Sequence, residues 1–281
     1  MPDILIHAHV YYPELWDELA DCIGNIDADF DLYVTTVGTN TVLNQKITSR
    51  FAGAKILACE NKGFDIAPFF KVLDAVDLDA YRYLVKIHTK RDVSYAAVFP
   101  NGYDLSGDGW RESLLLPFKT RENWKRTAAW LASDKTGMVA DGKVIVNKLR
   151  SRDTGACACA KRLVEQFGLT YKGDCFVAGT MFAVKAALFK CLQNRSESLD
   201  FKDSIRGGDA LPYACERLLG MIVSAQGKKI QALNDDMAKV RLHWLISAVL
   251  RFFFLKKTSE KKTIVKICKI PVFIKRNRKN L

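Results

Sequence analysis

Glu60-Asn-Lys-Gly-Phe-Asp-Ile-Ala-Pro-Phe-Phe70, followed by Tyr83-Leu-Val-Lys-Ile-His-Thr-Lys-Arg-Asp92, decides the fold. Each stretch joins a polar cluster to an apolar run. Asn61, Lys62, Gly63 and Asp65 follow the run 54–59, and Lys86, His88, Thr89 and Lys90 lie on and just past the run 81–87. In an open α/β sheet, ligands bind outside the carboxyl ends of the strands. The two clusters stand about 25 residues apart, which suits one strand–helix–strand unit with its crossover of a dozen or more residues. They therefore read as two walls of one pocket. Its positive charge and hydrogen-bond donors suit an anionic ligand, best a diphosphate.

Working outward, 4–10 is a short β-branched run and reads as a buried strand. Pro13 starts a helix in which Leu15, Trp16, Leu19, Cys22 and Ile23 recur at helical spacing. Strands are expected over 30–36, 55–59 and 81–88, with helices over 41–51 and 65–73, the last carrying Pro68 in its first turn. This alternation predicts an α/β fold, an open and mainly parallel sheet with helices on both faces. Further on, 94–108 reads as a loop, 109–116, 120–133, 154–167 and 210–225 as helices, and 138–140 as a short strand. The segment 175–184 is β-like and interrupted by Gly179.

Charge divides the chain. From Lys239 to Leu281 there are thirteen Lys/Arg and one acid, Glu260, so the whole excess of +12 sits there and the first 238 residues are balanced. We therefore divide the chain into an α/β domain over 1–238 and a basic amphipathic tail over 239–281. The apolar run 244–255 has twelve residues, too short for a spanning helix of ~20. With its aromatic residues and basic flanks it reads as a helix in the interface of an anionic membrane. Nucleic acid is excluded as a partner, because the tail's aromatics cluster in one run instead of interleaving with Lys/Arg. The start of the chain lacks the basic region and long apolar core of a signal peptide. Eight cysteines without a CxxC pair read as reduced, buried thiols of a cytoplasmic protein.

Asn61-Lys-Gly-Phe-Asp-Ile-Ala-Pro-Phe69, Lys86-Ile-His-Thr-Lys90, Gly109-Trp-Arg111, Gly137-Met-Val139, Phe176-Val-Ala-Gly-Thr-Met-Phe182 and Glu216-Arg-Leu218 together resemble the rhamnan synthesis protein F family. This is a group of bacterial glycosyltransferase-like proteins of polysaccharide synthesis. The resemblance implies a GT-A-like architecture over about residues 4–230 and an enzyme that moves a sugar from a nucleotide donor. It favours dTDP-L-rhamnose as donor, a lipid-linked glycan as acceptor, and a site of action at the inner face of the cytoplasmic membrane. In that architecture the fourth strand ends in an Asp-x-Asp metal motif, where this chain has His88-Thr89-Lys90. Lysine offers no acceptor to a cation, so a metal-independent site is favoured, with Mg²⁺ or Mn²⁺ as the alternative through Asp65 or Asp92. The same departure supports a second reading, a non-catalytic relative that binds a glycan precursor or a membrane partner.

Roles follow. His88, with Lys86 and Lys90, is expected to neutralise the leaving diphosphate. Asn61, Gly63 and Asp65 bind the donor, Asp65 doubling as a helix cap. Trp110 stacks on sugar or base and Arg111 grips phosphate. Gly179 and Thr180 meet the donor sugar from the acceptor side. His9 makes a strand-end contact to the nucleotide. Asp209 and Glu216 are the joint candidates for the base that takes the acceptor proton, as in inverting enzymes.

Overall fold

The computed structural model describes residues 2–95, 97, 103–146, 154–201, 210–234, 254–258, 262–267 and 270–276. Its chain forms two compact units, one of residues 1–100 and 104–234, the other of 101–103 and 235–281.

The first unit is built on a seven-stranded sheet. In chain order its strands and helices begin β1 (Ile4–Val10), α1 (Trp16–Gly24), β2 (Phe30–Val37), α2 (Thr41–Arg50), β3 (Lys55–Cys59), α3 (Ile66–Asp74) and β4 (Tyr83–His88). They continue with α4 (Gly109–Leu115), α5 (Arg121–Ala132), β5 (Thr136–Ala140), β6 (Ile145–Val146), α6 (Thr154–Gln166), β7 (Phe176–Val177), β8 (Phe182–Lys185), α7 (Ala210–Ala225) and β9 (Lys229–Ala232). The sheet order is β3-β2-β1-β4-β8-β5-β9, and β6 pairs with β7 in a separate ribbon. Within the large sheet β8 alone runs antiparallel to its neighbours β4 and β5. The expected open, mainly parallel α/β sheet is thus observed.

Local chemistry explains the elements. Every residue of β1 and β4 is buried; such strands are usually near-continuously apolar, and His7, His9, Lys86 and His88 depart from this. The Asn40 side chain caps α2 by accepting from the Leu43 N–H at 3.0 Å, and Thr120 caps α5 through Asn123 N–H at 3.1 Å. Helix α3 buries Phe69 and Phe70 completely, each contributing about 1.5–3 kcal/mol relative to exposure. Gly220 lets α7 approach β7, since a Cβ there would lie 2.3 Å from the Cys175 carbonyl oxygen.

Topology then locates the site. The order β3-β2-β1-β4 means that the chain steps one way through β1, β2 and β3 and returns past them to β4. With right-handed crossovers, α1 and α2 cover one face and α3 the other. The direction reverses between β1 and β4, and the gap beyond their carboxyl ends is the place where such sheets hold ligands.

The second unit differs from expectation. Its described residues form an antiparallel sheet of β10 (Phe254–Thr258), β11 (Lys262–Ile267) and β12 (Ile270–Arg276). Of the run expected to be helical, Phe254 and Leu255 lie instead in β10, and β-branched and aromatic residues separated by short breaks favour paired strands over 254–276. The rest of the run 244–255, up to residue 253, lies outside the described residues. Among the described residues, no helix is long and apolar enough to cross a membrane, and the cysteines are free thiols.

Candidate active site

A cleft of about 580 Å³ opens at the carboxyl ends of β1 and β4. Of the expected residues, His9, Asn61, Asp65, His88, Lys90, Trp110, Gly179, Thr180 and Glu216 line it. Lys86 lies beneath it, while Gly63 and Arg111 stand outside the lining. Asp209 lies outside the described residues.

The floor is a buried polar layer on the α3 face of the sheet. His7 pairs in register with Lys86, and His9 with His88. Residues in register share a face, and His7 stacks on Phe69 of α3 at 5.5 Å. The hydroxyl of Thr35 on β2 bonds His7 Nε2 at 2.8 Å and His9 Nδ1 at 3.0 Å. Burial lowers both imidazole pKa values, that of His9 to about 4, so both rings are neutral at pH 7. His7 Nδ1 has no partner. A buried orphan N–H is rarer than a buried orphan acceptor, which assigns the proton of His7 to Nε2. Thr35 then donates to His9 Nδ1, and His9 carries its N–H on Nε2.

Lys86 departs from its expected role. Its side chain is 0% exposed and its ammonium donates to the Asp65 carboxylate, to Thr180 Oγ1 at 2.9 Å and to the Thr180 carbonyl at 3.3 Å. Thr180 in turn donates its hydroxyl proton to Asp65. Burial pushes the Asp65 carboxyl up, but Lys86, His88 and these hydrogen bonds outweigh it and hold the group well below the usual carboxylate range. Asp65 occupies the N-cap position of α3 yet makes no side-chain cap bond. Its carboxylate is drawn to the buried ammonium instead. A lysine so enclosed cannot reach a diphosphate.

The triplet His88-Thr89-Lys90 divides its labour. His88 Nε2 lies 2.8 Å from the Gly179 carbonyl and Nδ1 3.1 Å from the Thr89 carbonyl; a neutral ring carries one N–H and donates to one of them. Burial lowers its pKa, with Asp65 opposing and Lys86 reinforcing the shift. Thr89 Oγ1 accepts the N–H groups of Tyr11 and Tyr12, both at 3.0 Å, and so fixes the turn leaving β1. Lys90 alone presents its charge to the cleft. Its ammonium sits 3.7 Å from the centre of the Trp110 ring, and the described residues place no carboxylate within ion-pair distance of it. The Trp110 ring, expected to stack on sugar or base, holds this cation. Arg111 pairs with Glu18 at 3.2 Å and with Asp92, an arrangement that holds α4 rather than a phosphate.

Glu216, on α7, lines the same cleft. Its Oε1 accepts the Gly179 N–H at 2.7 Å, and Oε2 lies 3.3 Å from Arg217 Nη1. Burial raises its pKa, opposed by the Gly179 N–H and Arg217. Two left-handed pairs frame this region. Gly63 and Phe64 have φ of 62° and 56°, and Gly179 and Thr180 have 92° and 54°. Strained non-glycine residues of this kind cost about 1–3 kcal/mol each and concentrate at ligand sites. Gly63 acts through packing, since a Cβ there would lie 2.7 Å from the Phe201 ring.

The described cleft does not suit a hard divalent cation, which takes several carboxylate, carbonyl and water oxygens. Asp65 is held by Lys86, Asp92 by Arg111, and a lysine and a histidine bound to carbonyls occupy the end of β4. No group of three or more His, Cys, Asp or Glu able to hold a metal occurs among the described residues.

The chain matches the rhamnan synthesis protein F family across residues 2–227. It belongs to that family. Two relatives in Xanthomonas campestris pv. campestris, both called uncharacterized protein WxcX, are 21% and 25% identical over 241 residues. Each match covers 84% of this chain and 33% of the relative, so the chain spans about a third of their length. Among solved structures, S. aureus TarS 1-349 is similar with a TM-score of 0.41 and 11% identity, covering 88% of this chain and 65% of that one. Glucosyl-3-phosphoglycerate synthase from Mycobacterium tuberculosis, in complex with Mn²⁺, UDP and glucosyl-3-phosphoglycerate, is similar with a TM-score of 0.36 and 12% identity, covering 98% of this chain and 90% of that one.

Sequence reasoning missed Tyr11, Tyr12, Phe64, Tyr95 and Tyr213, all in the lining of this family member's cleft. A signal existed for three of them. Tyr11 and Tyr12 separate β1 from the helix-starting Pro13, and Tyr213 precedes Glu216 by about one helical turn.

Proposed function

We propose that this chain is a polysaccharide glycosyltransferase that moves L-rhamnose from dTDP-L-rhamnose to a lipid-linked glycan. The observation that carries the reading is the presence, in the lining of one cleft, of a cation with no carboxylate at ion-pair distance among the described residues, Lys90, and a carboxylate of raised pKa, Glu216. The acceptor hydroxyl gives its proton to Glu216, its oxygen bonds to the anomeric carbon, and the bond from that carbon to the diphosphate oxygen breaks. The electron pair leaves on the nucleoside diphosphate, whose charge Lys90 stabilises. His9 Nε2–H and Asn61 supply donors at the rim. Attack opposite the leaving group inverts the anomeric centre. Asp209 stands as a second candidate base beside Glu216.

Family membership supports rhamnose as the sugar. The excess of +12 in residues 239–281 supports an anionic membrane surface as the place where a lipid-linked acceptor is met. The test is incubation of the full chain with dTDP-L-rhamnose and a rhamnosylated lipid-carrier analogue in EDTA. The expected product is the acceptor one deoxyhexose heavier, with inverted anomeric configuration by NMR. Binding of donor and acceptor without product would favour the non-catalytic alternative.

A further inference from the structure

The cleft carries an exposed aromatic pair that the transfer mechanism leaves unused. Phe64 is 38% exposed and Tyr213 51% exposed, although both line the cleft. Their ring centres lie 6.0 Å apart, inclined at 60°. Phe64 holds its exposed ring at a φ of 56°, a conformation that bulky residues avoid. Folding alone gives no reason to keep a large apolar side chain both strained and in water. Strain of this kind persists where it serves a site.

Position identifies the ligand. Tyr213 stands three residues before Glu216 on α7, so the two share a helix face. A base must come within hydrogen-bond reach of the hydroxyl that it deprotonates. The sugar bearing that hydroxyl therefore lies within about one turn of α7 from Tyr213. A pyranose ring has an apolar face of C–H bonds that packs on an aromatic ring, while its hydroxyls stay at the edge. Aromatic rings with a polar tip are suited to such half-wet contacts. Lys90 and Trp110, which also line the cleft, offer a cation instead of an open apolar ring face. We propose that Phe64 and Tyr213 form the acceptor subsite, a platform for the terminal sugar ring of the glycan being extended. This rests on the glycosyl-transfer reading above.

The experiment uses the full chain and two probes, dTDP-L-rhamnose and a rhamnose trisaccharide, with binding followed by saturation-transfer NMR and turnover by release of dTDP. Phe64→Gly and Tyr213→Ala should each weaken trisaccharide binding at least 10-fold and raise the acceptor KM to match, leaving donor affinity within twofold. Tyr213→Phe should bind nearly as wild type. Phe64→Gly should also melt no lower than wild type, because glycine relieves the left-handed strain. Unchanged trisaccharide binding in both variants would overturn the platform, as would a wild type that transfers to the trisaccharide with no dependence on either ring. Ring-dependent glycan binding without any turnover would keep the platform and sink the transfer reading instead.

Discussion

Lys86 and Lys90 lie four residues apart at the same strand end, yet they do opposite work. Lys86 is fully buried and bound by Asp65 and Thr180 in the floor of the cleft. Lys90 stands over Trp110 in its wall, with its charge open to a ligand. The floor also holds His7, His9 and His88, with Thr35 bonded to the first two. The wall, with Glu216, Tyr11, Tyr12 and Phe64, is built to meet something else. Residue type does not separate the two regions. What separates the two lysines is whether a carboxylate of the fold already holds the ammonium.

The contrast can be broken first at Lys86. Lys86→Met leaves a buried carboxylate without its counterion and should cost about 3–5 kcal/mol in chemical denaturation. Adding Asp65→Asn should recover most of this, whereas equal losses in single and double variants would deny that the pair is the floor's main tie. The pair also has a pH signature. The folded pKa of Asp65 lies below its unfolded value of about 3.9, so its stabilisation is present above that value and is lost as pH falls. The double variant should therefore show a shallower loss of stability on acidification.

In the wall, Glu216→Gln should lower transfer about 10²–10⁴-fold. Because burial raises the Glu216 pKa, the wild-type rate should climb with pH along a limb above the ordinary glutamate value of about 4.3. An acid limb at the ordinary value would place the base elsewhere, Asp209 first. Lys90→Ala should reduce kcat/KM about 10²-fold and leave stability nearly unchanged, the reverse of Lys86→Met. The smallest effect is expected from Arg111→Ala, whose ion pairs with Glu18 and Asp92 contribute about 1 kcal/mol or less to stability. A large loss of donor affinity there would restore the phosphate role.

The first half of the sheet was legible because its periodicities are clean. The runs 4–10 and 55–59 became β1 and β3 without adjustment, and the break at Gly179 became the left-handed turn between β7 and β8. Both opening clusters do reach one cleft. Pairing was not legible. Nothing local shows that Asp65 would turn from its helix cap to a lysine 21 residues away, or that the turn before β8 would bring Thr180 to it. Strand β9 escaped notice because four residues with alternating polarity give too little signal. Over 254–276, apolar and basic residues alternate closely enough to suit either an interfacial helix or the strands observed.

The most direct test is dTDP release from dTDP-L-rhamnose by the full chain and by Glu216→Gln, with a rhamnosylated acceptor and EDTA present. The account predicts acceptor-dependent turnover in the wild type and a loss of at least 100-fold in the variant at unchanged donor affinity. Turnover that survives Glu216→Gln, or that never occurs in the wild type, would contradict it.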